Sequence, residues 1–492
     1  MGESRSLLRR EGGVARLRRL EARIESVDGT RRFDLRNGNE LMGRHPNAAR
    51  AWLVLAVLAA YANSLAGAFQ FDDYNVIVES AGVHSFAAWW QSMPGIRPLL
   101  KLSYAANWAL DERAVGFSAV NLVVHAANTL LVLHLLRRLA PRLGVAAGAA
   151  SSTAFIAALI FALHPAQTEA VTYISGRSVS LMALFAFASM WAWLRAEDGV
   201  RPAAWRFASA ALFAAALAVK ENAWILPLAY ALWEALCETS RKDFGWRAWL
   251  ARSAWHGAVL LGFAGSVWLV PAYGRLLDAS LQTRSLAENL LTQVNGVFYL
   301  TTRPLLGLVV NIDPDLPVVK AFTPDLAVKA ALLAGLLAVA LWHWRRAAAS
   351  RWLAFSILWF VVWLIPTNSV LPRFDVANDR QLYLALIGPA LICAVLLARL
   401  RAHRPLAGTV AIASLLLVLA SSTIMRNRDY RSEVALWERT SEASPNKPRV
   451  WNNLGYARQQ AGDSEGAIRA YRRVLLLDPG HWRARNNLDL LQ

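Results

Sequence analysis

AWLVLAVLAAYANSLAGAFQFDDYNVI occupies residues 51–77, and its first nineteen residues, 51–69, carry no charge. A run of that length and apolarity crosses a bilayer as a helix. Two adjacent carboxylates, Asp72 and Asp73, follow where the chain leaves lipid. Ala66-Gly67-Ala68 imitates a signal-peptidase site, yet some fifty residues precede it, far more than a usual n-region, so the segment reads as an uncleaved anchor. Residues 1–50 are polar and Arg-rich (SLLRREGGVARLRRLEARI at 6–24) and read as a solvated basic tail, either an amphipathic surface helix or flexible. A basic tail stays in the cytoplasm, so the aspartates are expected to emerge on the opposite face.

The rest of the chain continues the pattern. Of its 492 residues 56% are hydrophobic and only 17% charged, the balance of a protein that crosses a membrane many times. The net charge of +18 is gathered in the N-terminal segment and in short loops between apolar runs, which is the positive-inside pattern rather than a nucleic-acid footprint. Cys237 and Cys393 lie in apolar runs, and no zinc-type spacing or nucleotide-binding glycine motif occurs. Walking the runs by their basic flanks gives about eleven spans. NLLTQVNGVFYLTTRPLLGLVV (289–310) breaks the alternation of sides and reads as a re-entrant or surface-lying helix pair bent at Arg303–Pro304. The fold class is therefore all-α: a polytopic membrane bundle over 51–425, then a different unit over 426–492.

That last unit repeats. PNKPRVWNNLG (445–455) and PGHWRARNNLD (479–489) align at an offset of 34 residues. With Trp451, Leu454, Gly455, Ala467, Tyr471 and Pro479, this period resembles the tetratricopeptide repeat. Small Gly455 and Ala467 let two antiparallel helices approach while large residues fill the seam. One full repeat flanked by halves is too short to stand alone, so it must lean on the membrane part or on a partner.

Ionisable groups at membrane level are expensive and raise a functional hypothesis. On the non-cytoplasmic side the sequence places Asp72, Asp73, Arg97, Lys101, His164, Glu169, Arg177, Lys220, Glu221, Arg303, Asp313, Asp315, Arg373, Asp375, Asp379 and Arg380. An anionic lipid whose head group undergoes chemistry satisfies both signs: Arg and Lys hold its phosphate, and a carboxylate acts on a hydroxyl. A polyprenyl-phosphate sugar fits, since its sugar–phosphate bond is already activated and needs no nucleotide outside the cell.

FDDYNVI (71–77), IRPLLKLSY (96–104), VNLVVHAAN (120–128), ALHPAQTEAVTYISGRSVSLMALF (162–185), KEN (220–222) and IPTNSVLPRFDVANDRQLYLA (365–385) follow one another in an order that resembles the transmembrane and tetratricopeptide-repeat O-mannosyltransferases and their bacterial relatives, members of the GT-C glycosyltransferases. The resemblance covers roughly residues 50–490. It implies a polyprenyl- or dolichyl-phosphate sugar as donor, a protein hydroxyl as usual acceptor, and a catalytic acidic residue in the first outer loop, at Asp72 or Asp73. The repeat array is very short here.

Each site residue also has a structural reading. Asp72 and Asp73 either cap the helix starting near Tyr74 or act in catalysis. Successive helical residues point about 100° apart, so the two do not share one job, and Asp73 is favoured as the base with Asp72 as cap or second ligand. Arg97, Lys101, Arg177, Lys220, Arg303 and Arg380 are candidate phosphate or lipid ligands, Arg380 ahead of Arg303. His164, Glu169, Glu221 and Tyr383 are supporting residues. His164 also reads as a turn residue, Glu169–Arg177 as a loop lock and Lys220–Glu221 as a surface pair. Asp313-Pro314-Asp315 reads as a turn. Mg²⁺ or Mn²⁺ bridging Asp73 and phosphate stays open.

The expected activity is sugar transfer to a hydroxyl, with inversion, on a periplasmic or pilin-like protein presented by the repeat. Nucleic acid is excluded as a partner. Ala-heavy spans and Arg-rich inner flanks suggest a high-GC bacterium, hence a multi-pass inner-membrane protein. The rival readings are a lipid-sugar flippase, for which Asn121, His125 and Asn128 would be mid-span polar groups, and a non-catalytic scaffold.

Overall fold

The computed structural model describes residues 46–237, 245–303, 305, 310–346 and 348–492, and among them every regular element is helical. The basic tail up to residue 45 lies outside the described residues. α1 (Pro46–Tyr61), α2 (Pro98–Leu110), α3 (Ala114–Arg142) and α4 (Ala147–Leu163) lead to α5 (Arg177–Glu197) and α6 (Pro202–Val219). α7 (Leu226–Cys237), α8 (Ala254–Leu269), α9 (Pro271–Thr283) and α10 (Leu286–Thr302) follow. α11 (Pro324–Arg346), α12 (Arg351–Leu364), α13 (Ile387–His403) and α14 (Pro405–Asp429) complete the bundle.

α3, α4, α5, α12 and α13 surround the core, where Phe161, Phe187, Phe355 and Leu391 are fully buried. α11 and α14 are among the most apolar helices and among the least buried, so their side chains face lipid. By length and apolarity six described helices can cross a membrane, or nine if each bent pair is one span. This is fewer than the eleven expected. α7 and α12 fall short at 12 and 14 residues because a 3₁₀ stretch, Glu221–Ile225, takes the first turns of one, and Pro366 closes the other.

The irregular segment around 289–310 does not run from one end of the bundle to the other. α9 turns off α8 by 81°, and Ser280 on it donates to the Pro372 carbonyl. α10 opens with a capping box, Ser285 with Glu288. Its Asn289 donates to the Ser369 and Val370 carbonyls at 2.8 and 3.0 Å, while past its far end the Leu305 carbonyl meets His164. α9 and α10 thus lie across the end of the bundle that carries Asp72 and Asp73. The arm expected beyond Pro304 falls largely outside the described residues. At the opposite end Arg138–Asp198 and Arg142–Glu197 close α3 against α5.

The C-terminal unit is α15 (Glu433–Ala443), α16 (Pro448–Gln460), α17 (Ser464–Leu477) and α18 (Trp482–Asp489). A Cβ on Gly455 would stand 2.6 Å from the Tyr471 ring, so glycine sets the approach of α16 to α17. As its shortness demands, the unit leans on the membrane part. Phe71, Tyr173 and Ile312 join Tyr430, Leu436, Trp437, Val450 and Leu454 in one core, and Ser444 donates to the Asp313 carbonyl at 2.8 Å.

Candidate active site

The loop after α1 turns back under the repeat. Phe71 takes a left-handed backbone, φ 47°, a conformation costing on the order of 1–3 kcal/mol. Its N–H donates to the Glu433 carboxylate and its ring meets Trp437 edge-on. Arg97, φ 52°, is strained in the same way, but so is Arg201 at the other end. Both precede a proline that starts a helix, so this strain belongs to the Arg-Pro entry and not to chemistry.

The turn separates the two aspartates. Asp73 is 1% exposed, and its carboxylate accepts the backbone N–H of Gln70 at 3.0 Å and of Ser175 at 2.8 Å. Asp73 therefore does not cap the helical turn at Tyr74–Val78. Burial pushes its pKa up to about 7 against those two hydrogen bonds. With both oxygens engaged and no open side, Asp73 does not fit a metal ligand, and among the described residues no three His, Cys, Asp or Glu gather around one point. Asp72 is half-buried and faces a cavity of about 330 Å³, walled by Phe71, Tyr173, Ile312, Trp437, Asp313, Asp375, Arg380 and Arg449. The Tyr173 hydroxyl stands 3.0 Å from its backbone nitrogen. Burial raises the Asp72 pKa, with Arg380 pulling the other way.

Arg380 also walls a second cavity, about 410 Å³, with Lys220, Arg373, Asn222, Asn378 and Gln381. Cations and amides dominate its polar lining. Lys220 is buried, donates to the Ser178 hydroxyl at 3.3 Å and has no ion pair among the described residues. Burial, then Arg380, Arg97 and Arg373, depress its pKa well below that of an ordinary lysine. Three cations crowded in a dehydrated pocket repel one another, and a bound anion relieves the repulsion. Arg380 is held from behind by Glu169, whose carboxylate accepts its backbone N–H at 3.0 Å and lies 3.3 Å from Nε.

Several candidates stand elsewhere. Arg177 is fully buried and gives its donors to Asn121 and Asn107 side chains and to the Phe117 and Ser103 carbonyls, packed on the Tyr104 and Phe117 rings. It lines neither of the two cavities, so the phosphate role expected of it is corrected, and the Glu169–Arg177 lock is replaced by Glu169–Arg380. The reason is local: a Cβ at Gly176 would fall 2.1 Å from the Glu169 carbonyl, and that tight turn drives the next side chain inward. Arg97 is spent on Glu221, with a 2.9 Å bond from Nε. Burial works against that carboxylate, yet Arg97 holds its pKa at about 2. The pair expected between Lys220 and Glu221 is therefore Arg97–Glu221, which leaves Lys220 open.

His164 accepts from the Ala166 N–H and contacts the Leu305 carbonyl, a turn residue. Tyr383 is buried against His125 and Asn128, 2.8 and 3.0 Å away. Asn121, His125 and Asn128 are buried and hydrogen-bonded within the bundle, to the Val171, Ala162 and Ser180 carbonyls, and only Asn128 Oδ1 among their side-chain atoms stands without a partner among the described residues. Lys101 is half-buried near Gly95 and walls neither cavity. Arg303 is exposed at the end of α10.

Sequence reasoning places Arg373 and Asp375 on the outer side without giving them a role, and it passes over Arg449. The first two lie in the same PRFDVANDR stretch as Arg380. Arg449 gives no signal at all, because only docking of the repeat brings it to the cavity. Asp313, expected as a mere turn, receives Lys447 at 2.5 Å and Arg449 Nε at 2.8 Å.

Comparison with known proteins agrees with both halves. A tetratricopeptide repeat is recognised at residues 448–481. A protein O-mannosyl-transferase of Caenorhabditis elegans is 23% identical over 450 residues, 87% of this chain and 62% of the relative. Protein O-mannosyl-transferases of Mus musculus and Drosophila melanogaster are 23% and 25% identical, over 90% and 85% of this chain and 52% and 54% of theirs. The chain thus spans about half to three-fifths of the length of these relatives. They are animal proteins, so the likeness is not specific to a bacterial branch. Over most of its length the chain is similar to animal protein O-mannosyl-transferases, and its C-terminal unit matches the tetratricopeptide repeat.

Proposed function

We propose that this protein transfers a sugar from a polyprenyl-phosphate donor to an acceptor hydroxyl on the non-cytoplasmic face of its membrane. The observation that carries this reading is the position of Arg380, which walls both the cationic cavity and the cavity that holds Asp72. A phosphate seated among Lys220, Arg373 and Arg380 puts the anomeric carbon beside Arg380, toward Asp72. Asp72, rather than the enclosed Asp73, is the base. It takes the proton of the acceptor hydroxyl as that oxygen bonds to the anomeric carbon from the face opposite the phosphate. The carbon–oxygen bond to phosphate breaks, its electron pair leaves on the phosphate, and the three cations stabilise the added charge. The product is the inverted glycoside, with Asp72 protonated and polyprenyl phosphate released.

The names of the relatives make mannose the first sugar to test and a protein Ser or Thr the first acceptor. In a bacterium this places the protein in the inner membrane, with its N-terminus in the cytoplasm and the repeat in the periplasm presenting the acceptor. The test mixes purified protein, polyprenyl-phosphate mannose and candidate acceptor proteins, and reads acceptor mass by mass spectrometry. A hexose increment that disappears in Asp72→Asn supports the reading; no increment with any acceptor, or one unchanged in Asp72→Asn, overturns it.

A further inference from the structure

Asp375 stands between two arginines that come from different parts of the chain. Its Oδ1 accepts from Arg449 of the repeat at 2.7 Å, while Oδ2 lies 3.7 Å from Arg380. The first is a charge-assisted hydrogen bond, and the second is too long to be one. Arg449 is itself fixed by Asp313 and by stacking over Phe374, 4.6 Å from the ring centroid. All four charged groups wall the Asp72 cavity. Arg380 is the only one of them that also walls the cationic cavity.

We propose that Arg449 is a positioning residue: by gripping Asp375 it keeps that carboxylate off Arg380, so that Arg380 stays open to the donor phosphate. Arg449 draws the carboxylate toward itself through a direct hydrogen bond to Oδ1, while Oδ2 meets Arg380 only as a longer ion pair. With the repeat docked, the partner is Arg449. With the repeat drawn away, Asp375 closes the remaining distance to Arg380 and neutralises the guanidinium that both cavities share. Docking of the repeat is thereby coupled to affinity for the lipid phosphate. An acceptor protein that tightens the repeat against the bundle favours donor binding, and a ligand that lifts the repeat releases the donor. The inference rests on the phosphate role given above to Arg380, but it does not need sugar transfer in order to be measured.

The experiment measures binding of sugar-free polyprenyl phosphate to the full-length protein in lipid nanodiscs. Arg449→Ala is expected to weaken binding about tenfold, the scale of one charged contact. Asp375→Asn is expected to bind as the parent or more tightly. The double variant Arg449→Ala/Asp375→Asn is expected to recover parental affinity, because the competitor is gone. A purely structural role for Arg449 predicts no such rescue. Parental affinity in Arg449→Ala, a double variant no better than Arg449→Ala, or a parent that fails to bind overturns the proposal. If Arg449→Ala does not fold, Arg449→Gln with and without Asp375→Asn gives the same comparison. A parent that binds polyprenyl phosphate yet transfers no sugar sinks the functional reading alone, and a parent that transfers while Arg449→Ala binds normally sinks this inference alone.

Discussion

Asp73 accepts the backbone N–H of Ser175 at 2.8 Å across 102 residues of chain, tying the loop after the first span to the turn that opens α5. The bond lies underneath the Asp72 cavity and fixes where Asp72 faces. Asp73→Asn keeps one acceptor and turns an amide N–H₂ toward one of the two backbone donors, leaving that donor unsatisfied. A loss of about 1–3 kcal/mol is expected, read as a lower midpoint of thermal unfolding in detergent, together with a fall in transfer rate. Parental stability in Asp73→Asn would show that the tie is dispensable.

The same carboxyl gives a pH dependence with a definite sign. Its pKa rises from 3.8 to about 7 on folding, so the native state holds the proton more tightly than the unfolded chain. The stability this confers is full below the unfolded value and is lost as pH rises through about 7. Unfolding midpoints measured from pH 5 to pH 8 are expected to fall, and the fall to be shallower in Asp73→Asn. Glu221, held at about 2 by Arg97, works the other way and in a lower window, losing its contribution only as pH drops below the usual carboxylate range.

Lys220 supplies a prediction about the donor. Burial and its neighbouring cations depress its pKa, and a phosphate arriving beside it reverses part of that depression. Binding of polyprenyl phosphate is therefore expected to take up a proton and to weaken as pH rises. Calorimetry in buffers of different ionisation enthalpy measures the uptake directly. Lys220→Met is expected to abolish the uptake and to weaken binding about ten- to a hundredfold, on the scale of 1.5–3 kcal/mol for a charged hydrogen bond. Uptake that persists in Lys220→Met assigns the proton to another group.

The helical bundle and the repeat are legible in the sequence, because apolar length and a fixed period are one-dimensional signals. The sequence singles out Arg380 and Lys220 as cations at span ends, and both line one cavity. Arg177 shares that description but points inward, and the difference lies in the Gly176 turn, whose direction depends on the Glu169 carbonyl beside it. The choice between Asp72 and Asp73 was hidden for a similar reason: Ser175, which captures Asp73, is distant in sequence. Arg449 and Asp313 acquire meaning only when α16 docks, a tertiary event with no local pattern.

Arg177 tests that distinction. A guanidinium with no exposure, bonded to two amide side chains and two carbonyls, leaves those acceptors stranded when it is removed. Arg177→Lys keeps the charge but not the fork that reaches Asn121 and Asn107 together. A destabilisation of about 3–5 kcal/mol is expected, while the fraction that stays folded binds polyprenyl phosphate as the parent does. Chemical denaturation followed by intrinsic fluorescence, paired with lipid binding, separates the two. A stable Arg177→Lys with weakened lipid binding would return Arg177 to the phosphate site.

Sidedness is the remaining prediction, and the mechanism depends on it. Asp315 is exposed beside the clasp that holds the repeat, and Val200 is exposed at the opposite end of the bundle, just past α5. In a chain freed of Cys237 and Cys393, Asp315→Cys is expected to react with a membrane-impermeant maleimide on intact cells, and Val200→Cys only after the membrane is opened. The argument is electrostatic. Arg138, Arg142, Arg195 and Arg201 crowd the Val200 end, where the positive-inside rule keeps them in the cytoplasm, and α3 and α5 carry the chain from that end to the aspartates. Labelling in the reverse order would put Asp72 and both cavities in the cytoplasm, where an activated lipid-linked sugar displayed on the outer face could not reach them.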